Sequence, residues 1–313
     1  MVVEPSIRKI IIFTLRHRIL MQVIIYSTVF KSKDAAYIQE LFDELIRLEI
    51  GYSIYEPYFQ QIKEHIKIGE SYGLVANYDD IKMSKYDFVI TLGGDGTILS
   101  VINLIQDSNI PIFGINLGRL GFLANVEKIN IRNSLIALHN REVNIEERGM
   151  LYLESNLPMF DGHMTALNDF TILKRDTSSM ITIHTFLNGA YLNTYWADGL
   201  IVATPTGSTG YSLSCGGPII FPNSDNFVIT PVAPHNLNVR PIIIPDTSVI
   251  SFEIIGRAEN FLSTLDSRFE MITQHHQLAI RKNNYKIRLV QLHGVNFLNV
   301  LRGKLAWGND LRN

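Results

Sequence analysis

Phe88-Val89-Ile90-Thr91-Leu92-Gly93-Gly94-Asp95-Gly96-Thr97-Ile98-Leu99-Ser100 decides how this chain is read. The apolar run 88–90 is a buried strand, residues 93–97 are a glycine-rich turn, and 98–102 opens a helix. Glycines at such a junction let backbone N–H groups approach a phosphate closely, and the following helix end favours negative charge there. Gly93, Gly94, Gly96 and Thr97 are therefore the expected phosphate-binding residues. Asp95 stands in the middle of this anion-friendly turn. A turn that only held phosphate would gain nothing from a fixed negative charge. The carboxylate makes sense if it accepts a proton from an attacking hydroxyl or holds a metal. The stretch points to phosphoryl transfer.

Outward from this turn, strands and helices alternate. A strand at 22–26 precedes a helical pattern in which Ile38, Leu41, Phe42, Leu45 and Leu48 recur at three and four spacing. Gly51 breaks it, 52–55 returns as a strand, and Phe59, Ile62, His65 and Ile66 lie at helical spacing. Further strands are expected at 87–92 and 110–116. Alternation of this kind implies an open, mostly parallel sheet, with ligands beyond the carboxyl ends of its strands, where 93–97 falls. After about residue 140 strand-like stretches follow one another at 150–154, 166–173, 181–187, 200–204, 228–231, 242–244 and 249–254. Residues 277–281 and 285–290 alternate around Lys282-Asn283-Asn284 and read as a hairpin. A helix at 128–139 is expected to bridge the two parts, and a helix at 296–307 to pack back on the first. The fold expected is an α/β domain over 1–140, joined by 293–313, plus a mostly antiparallel β-sandwich over 141–292.

Bulk properties agree with this division. A chain of 313 residues exceeds what one core usually supports. Its 46% hydrophobic and 19% charged content is that of an ordinary globular protein. A formal net charge of −2, with no cluster of Lys or Arg interleaved with aromatics, gives no reason to expect nucleic acid. A single cysteine, Cys215, rules out an internal disulfide and fits a reducing cytoplasm. The apolar core of residues 7–20 is shorter than the about 20 residues that cross a bilayer, so no membrane partner is expected. Residues 1–20 read equally as an extension upstream of a start at Met21 or as an added edge strand.

The segment 198–218 runs from Asp198 through a short apolar strand into fourteen residues made mainly of Thr, Ser, Gly and Pro. Composition alone would make it a linker. Apolar residues on both sides pin it inside a fold, and hydroxyls in a pinned loop suit a polar ligand held at many points. The Asn168-Asp169 pair lies inside an apolar stretch, so both side chains need partners if buried. No Gly-x-x-x-x-Gly-Lys-Ser/Thr loop is present, Leu99 replaces the third glycine of a dinucleotide fingerprint, and adjacent His275 and His276 make a poor metal pair.

Together, the Gly-Gly-Asp-Gly-Thr turn at 93–97, the stretch 116–123, the Asn168-Asp169 pair and the segment 198–218 resemble the NAD kinase family, in its order and spacing. The resemblance implies transfer of the terminal phosphoryl group of ATP to the 2′-hydroxyl of the adenosine ribose of NAD, giving NADP. Asp95 would face that hydroxyl with Gly96 alongside. Asn168 would contact the adenine and Asp169 the ribose hydroxyls. Thr209, Gly210, Tyr211, Ser212, Leu213 and Ser214 would line the dinucleotide groove, and Asp198 would lie near the nicotinamide. The resemblance also implies Mg²⁺ or another divalent cation bridging the donor's phosphates, and a homodimer or homotetramer. Departures from the family pattern are Asp169 where many members carry Glu, Leu265-Asp266-Ser267-Arg268 in place of Asp-Gly-Gln, and Ser100 and Trp196 at commonly basic places. Two other readings are a lipid kinase of the same superfamily, disfavoured by the hydroxyl-rich loop, and a catalytically silent NAD(H)-binding regulator, disfavoured by Asp95.

Overall fold

The computed structural model describes residues 21–175, 180–256, 259–294 and 296–306. The two readings of 1–20 lie outside them. The first part runs β1 (Gln22–Tyr26), α1 (Ala35–Arg47), β2 (Gly51–Tyr55), α2 (Glu56–Ile62), β3 (Gly73–Val75), α3 (Tyr78–Lys82), β4 (Phe88–Leu92), α4 (Asp95–Ile105), β5 (Ile112–Asn116), β6 (Val126–Glu127), α5 (Ile131–His139) and β7 (Val143–Arg148). β1 pairs in parallel with β2 and β4, β2 with β3, and β4 with β5. Alternate residues of each strand point to opposite faces, and both faces are covered. Val23 and Ile25 meet Leu41, Phe42 and Leu45 of α1, whereas Ile24 and Val89 meet Ile98, Val101 and Ile102 of α4. Each such side chain contributes about 1.5–3 kcal/mol by leaving water. That is why these strands are continuously apolar in sequence.

The strand order β3-β2-β1-β4-β5 reverses between β1 and β4. Chain connections leave in opposite directions there, which opens a crevice at the carboxyl ends of the two strands. The glycine turn, following β4, forms one lip of it.

The second part comprises β8 (Leu151–Ser155), β9 (Thr165–Ala166), β10 (Asp169–Lys174), β11 (Ile181–Leu187), β12 (Ala190–Ala197), β13 (Gly199–Ala203), α6 (Tyr211–Ser214), β14 (Asn226–Val232), β15 (Ile242–Pro245), β16 (Ile250–Ile255), β17 (Phe261–Leu265), β18 (Arg268–Ile272) and β19 (Leu278–Lys282). It folds as two antiparallel sheets, β15-β14-β13-β10-β17-β18 and β12-β11-β16-β19-β8-β9. Their inner faces share one core, with Phe170, Ile172 and Val202 from the first sheet and Leu153, Ile183 and Phe252 from the second. The expected sandwich is thus present. The chain ends with β20 (Ile287–Leu292) and α7 (Phe297–Leu305).

Three expectations about the joints are corrected. Strands β19 and β20 form no hairpin, because β19 pairs with β8 in the sandwich and β20 pairs with β5 and β7 in the first sheet. Both alternate in sequence, but Leu278 and Ile280 enter the sandwich core while Ile287 and Leu289 enter the α/β core. Residues 283–286 are therefore one crossover between the parts and 149–150 the other, tied together by Asn283 N–H donating to Met150 O at 2.9 Å. It follows that 143–148 and 287–292 belong to the first sheet, and the boundary expected at 140 moves past β7. Helix α5 does not bridge the parts: Ile131, Leu135 and Leu138 share the core of α1, and Arg132 Nε meets Glu44 Oε1 at 2.8 Å. Helix α7 touches both parts, since Phe297 packs edge-on to Phe221 and Lys304 lies over the Phe122 ring.

Candidate active site

Gly94 precedes α4 and Asp95 is its first residue. A side-chain carbon on Gly93 would overlap Thr97 Oγ1, so that glycine is required by the turn itself. Gly94 and Gly96 differ: both are exposed, and a carbon added to either would meet no atom of the chain within 4 Å. Packing does not demand them. What glycine leaves there is open backbone at a helix N-terminus, and Gly94 lines the crevice. That crevice encloses about 350 Å³ and is lined by the turn, by Ser27 at the end of β1, by Asn116 at the end of β5, and by Lys31, Lys33 and Arg119. Ser27 Oγ donates to Leu92 O at 2.6 Å, which holds the ends of β1 and β4 together. Asp34 also lines it but is paired with Lys128 at 2.8 Å, so the three other charged side chains make the cleft a place for anions, a feature not foreseen from a chain whose overall charge is slightly negative.

The Asp95 carboxylate is held by three consecutive backbone amides. Oδ2 accepts from Phe122 N–H at 2.8 Å, and Oδ1 accepts from Leu123 and Ala124 N–H at 3.0 and 2.9 Å. Gly121 is needed for this grip, because a side-chain carbon there would overlap Asp95 Oδ1. A carboxylate offers about four lone-pair positions. Three are filled, and the remaining one is on Oδ2. Asp95 is therefore a rigidly oriented acceptor with room for one more donor.

A second aspartate does the same for the Asn168-Asp169 pair. Asp266, in the β17–β18 turn, accepts from Leu167, Asn168 and Asp169 N–H at 2.9, 2.7 and 3.2 Å. The Asp169 side chain is buried, and loss of water, reinforced by the nearby Asp266 charge, pushes its carboxyl up to about 7. Leu167 packs in the same apolar cluster as Leu123 and Ala124, the residues whose amides hold Asp95. The turn that grips Asp95 and the turn gripped by Asp266 thus border one apolar core.

Asp169 begins β10 and Lys174 ends it, with Lys174 Nζ pairing to Asp198 Oδ1 at 2.6 Å. Five strand steps put roughly 17 Å between the two ends. Tyr211 is near both carboxylates: burial raises its pKa, with Cys215, Asp169 and Asp198 adding to the shift. Sequence residues far apart are gathered here, namely Asp169, Gly210, Tyr211 and Asp198. Thr209 and Leu213 are half-buried at its rim, and Ser214 is exposed.

The hydroxyl-rich loop corrects one expectation. Most of its hydroxyls serve the loop. Thr204 Oγ1 bonds Leu167 O and receives Gly207 N–H at 3.1 Å; Ser208 Oγ donates to Pro205 O at 2.7 Å and receives Ile220 N–H at 3.0 Å. Thr209 Oγ1 donates to Thr206 O at 3.2 Å. Ser212 is fully buried, with its Oγ 2.8 Å from Thr230 Oγ1, so it does not line the groove. A buried segment so short of apolar side chains must satisfy its backbone by other means, and Thr and Ser do so. Gly207 is required because a side-chain carbon would overlap the Asn168 carbonyl, seating the loop directly on the Asn168-Asp169 turn. Asp266 and the amides of 122–124 were not foreseen as site elements. The turn dipeptide Asp266-Ser267 between alternating strands was the available signal for the first.

Comparison with known proteins agrees with this architecture. Residues 57–143 match the family described as the ATP-NAD kinase N-terminal domain, and residues 167–292 the ATP-NAD kinase C-terminal domain. An NAD kinase of Cytophaga hutchinsonii is 46% identical over 285 residues, covering 91% of this chain and 97% of that protein. An NAD kinase of Flavobacterium psychrophilum is 42% identical over 295 residues, covering 94% and 100%. Among solved structures, yeast NADH kinase complexed with NADH superimposes with a TM-score of 0.83 at 22% identity, covering 94% of this chain and 89% of that one. With a sheet that reverses at the glycine turn, a sandwich seated beside it, and relatives of this similarity over nearly their whole length, the chain belongs to the NAD kinase family.

Proposed function

We propose that this protein is a kinase that transfers the terminal phosphoryl group of ATP to the 2′-hydroxyl of the adenosine ribose of NAD, producing NADP. The observation that carries the reading is Asp95, gripped by three amides with one acceptor position open, in the same turn whose Gly93, Gly94 and Thr97 line a cleft with Lys31, Lys33 and Arg119. The donor's phosphates lie along 93–97 at the start of α4, where Lys31, Lys33 and Arg119 offset their charge. The acceptor dinucleotide lies along β10, its adenosine at Asn168 and Asp169, its nicotinamide toward Asp198, with Thr209, Gly210, Tyr211, Leu213 and Ser214 beside it. The roughly 17 Å between the ends of that groove suits an extended dinucleotide better than a single nucleoside.

The ribose hydroxyl donates to the open position of Asp95 Oδ2, which fixes its remaining lone pairs toward the phosphorus. As the new P–O bond forms, the bond to ADP breaks and the hydroxyl proton passes to Asp95. Alignment and charge neutralisation supply most of the rate in such a loose transfer. A divalent cation carried by the donor's phosphates would help neutralise the charge that develops in the transfer, beside Gly93, Gly94, Gly96 and Thr97.

We place the enzyme in the cytoplasm, in line with its lone cysteine. Among the described residues no helix is long and apolar enough to cross a membrane. A homo-oligomer is supported by exposed apolar groups on the β12-β11-β16 face, where Trp196 and Ile255 stand in register on either side of Thr182. Incubation with ATP, Mg²⁺ and NAD, followed by product analysis, tests the function: NADP and ADP are expected in equal amounts. Tight binding of NAD without any NADP would overturn the kinase and leave a silent NAD-binding regulator.

A further inference from the structure

We propose that Asp266 is the positioning residue of the acceptor site, a clamp that fixes the Asn168-Asp169 turn so that its side chains meet the adenosine; the proposal rests on the function given above. Its carboxylate accepts from the amides of Leu167, Asn168 and Asp169, and its own N–H donates to Asp169 O at 2.9 Å. Four bonds from one residue thus set the backbone on both sides of Asn168 and Asp169. Three successive N–H groups converge on one point only when the chain is bent into a concave nest, and such a nest is stable when an anion fills it. Here the anion belongs to the protein.

Asp266 is itself committed to this duty. Its backbone has φ of 53°, a left-handed conformation that residues other than glycine adopt infrequently and that its surroundings hold here. Arg268, two residues on, donates to the carbonyl oxygens of His163 and Thr165, the latter at 2.5 Å. The β17–β18 turn therefore grips the segment leading into the acceptor turn at both its carbonyls and its amides. The sequence reading assigns no ligand contact to Arg268, because Leu265-Asp266-Ser267-Arg268 stands where the family carries Asp-Gly-Gln. The geometry shows that the aspartate works through its backbone partners, with Arg268 bracing the same turn from its outer side.

The arrangement repeats the grip that Phe122, Leu123 and Ala124 exert on Asp95, with roles reversed. There a loop orients a reacting carboxylate. Here a carboxylate orients a binding loop. Leu167 and the residues that hold Asp95, Leu123 and Ala124, belong to one apolar cluster.

The test is steady-state kinetics on the full chain with Asp266→Asn, which keeps the shape but turns one acceptor into a donor facing N–H groups. KM for NAD is expected to rise at least about tenfold, with kcat within about threefold and KM for ATP unchanged. Asp246→Asn is the control for a structural effect, since Asp246 is buried and ion-paired to Lys282 at 2.5 Å; it is expected to lower Tm without moving KM for NAD. A folded Asp266→Asn with parental KM for NAD overturns the proposal, as does an equal rise in KM for both substrates. Should that variant not fold, Arg268→Lys, which weakens the same turn from its outer side, is expected to raise KM for NAD about threefold, and no change overturns the clamp. Absence of any NADP from the parent protein would instead sink the function itself.

Discussion

Replacing Asp95 with asparagine changes one atom in a site whose hydrogen bonds are fully specified. The amide can sit in two orientations. With its oxygen at the Oδ1 position it keeps the bonds from Leu123 and Ala124 N–H and places NH2 against Phe122 N–H. Flipped, it would lose two bonds to keep one. The first orientation is favoured by about one neutral hydrogen bond, roughly 0.5–1.5 kcal/mol. It puts a donor where the ribose hydroxyl needs an acceptor. The variant therefore removes both the proton acceptor and the orientation of the nucleophile, and loss of general-base assistance alone is worth about 10²- to 10⁴-fold. At about 1.36 kcal/mol per tenfold, kcat is expected to fall by about 2.7–5.5 kcal/mol of transition-state stabilisation. NAD affinity should change by less than about threefold, because the groove along β10 is untouched. NADP formation at saturating ATP and Mg²⁺, beside NAD titration and a thermal melt, measures all three quantities. A folded Asp95→Asn protein turning over within about threefold of the parent would refute the role assigned to this carboxylate.

Tyr211→Ala should weaken NAD binding more than ATP binding, because Tyr211 is near both Asp169 and Asp198; equal weakening in parallel titrations would contradict that placement. Ser212→Ala should lower stability by about 1–3 kcal/mol, by leaving the buried Thr230 hydroxyl without its partner, while KM for NAD stays put. A rise in KM with unchanged melting would return Ser212 to the groove. Asp169 makes stability depend on pH in an unusual direction. Its folded carboxyl is pushed up to about 7, above the unfolded value near about 4, so the native state holds a proton that the unfolded state has released. Stability from this group is complete below about pH 4 and is lost as pH rises toward about 7. Asp169→Asn should therefore stabilise the protein by a few kcal/mol at pH 8 relative to its effect at pH 4, read as the gap between thermal melts. A gap that does not widen with pH would refute the burial argument.

The sandwich was legible where strands carry dense apolar alternation, as in β11 and β16, and invisible at β12. That strand lies at a sheet edge, and its Tyr, Asn and Thr residues include no apolar run. The supposed hairpin at 277–290 failed for a different reason. Alternation reports that a strand has one face in a core but not which core, and two lay within reach. The loop 203–214 was recognised as pinned, yet its hydroxyls were read as ligand contacts. Composition cannot distinguish a hydroxyl bonded to a ligand from one bonded to its own backbone.

From residue types alone came the glycine-lined turn with its carboxylate, the alternation that makes the first sheet parallel, and the change to antiparallel strands beyond it. These are local properties, because backbone freedom, apolar period and the chemistry of one side chain act within a few residues. Tertiary structure alone decided which groups surround that carboxylate. Asp95 meets amides 27 to 29 positions away, and Asp266 meets amides 97 to 99 positions away. Backbone N–H groups are the same in every sequence but for proline, so nothing in the letters marks which three of them a fold will turn toward an aspartate.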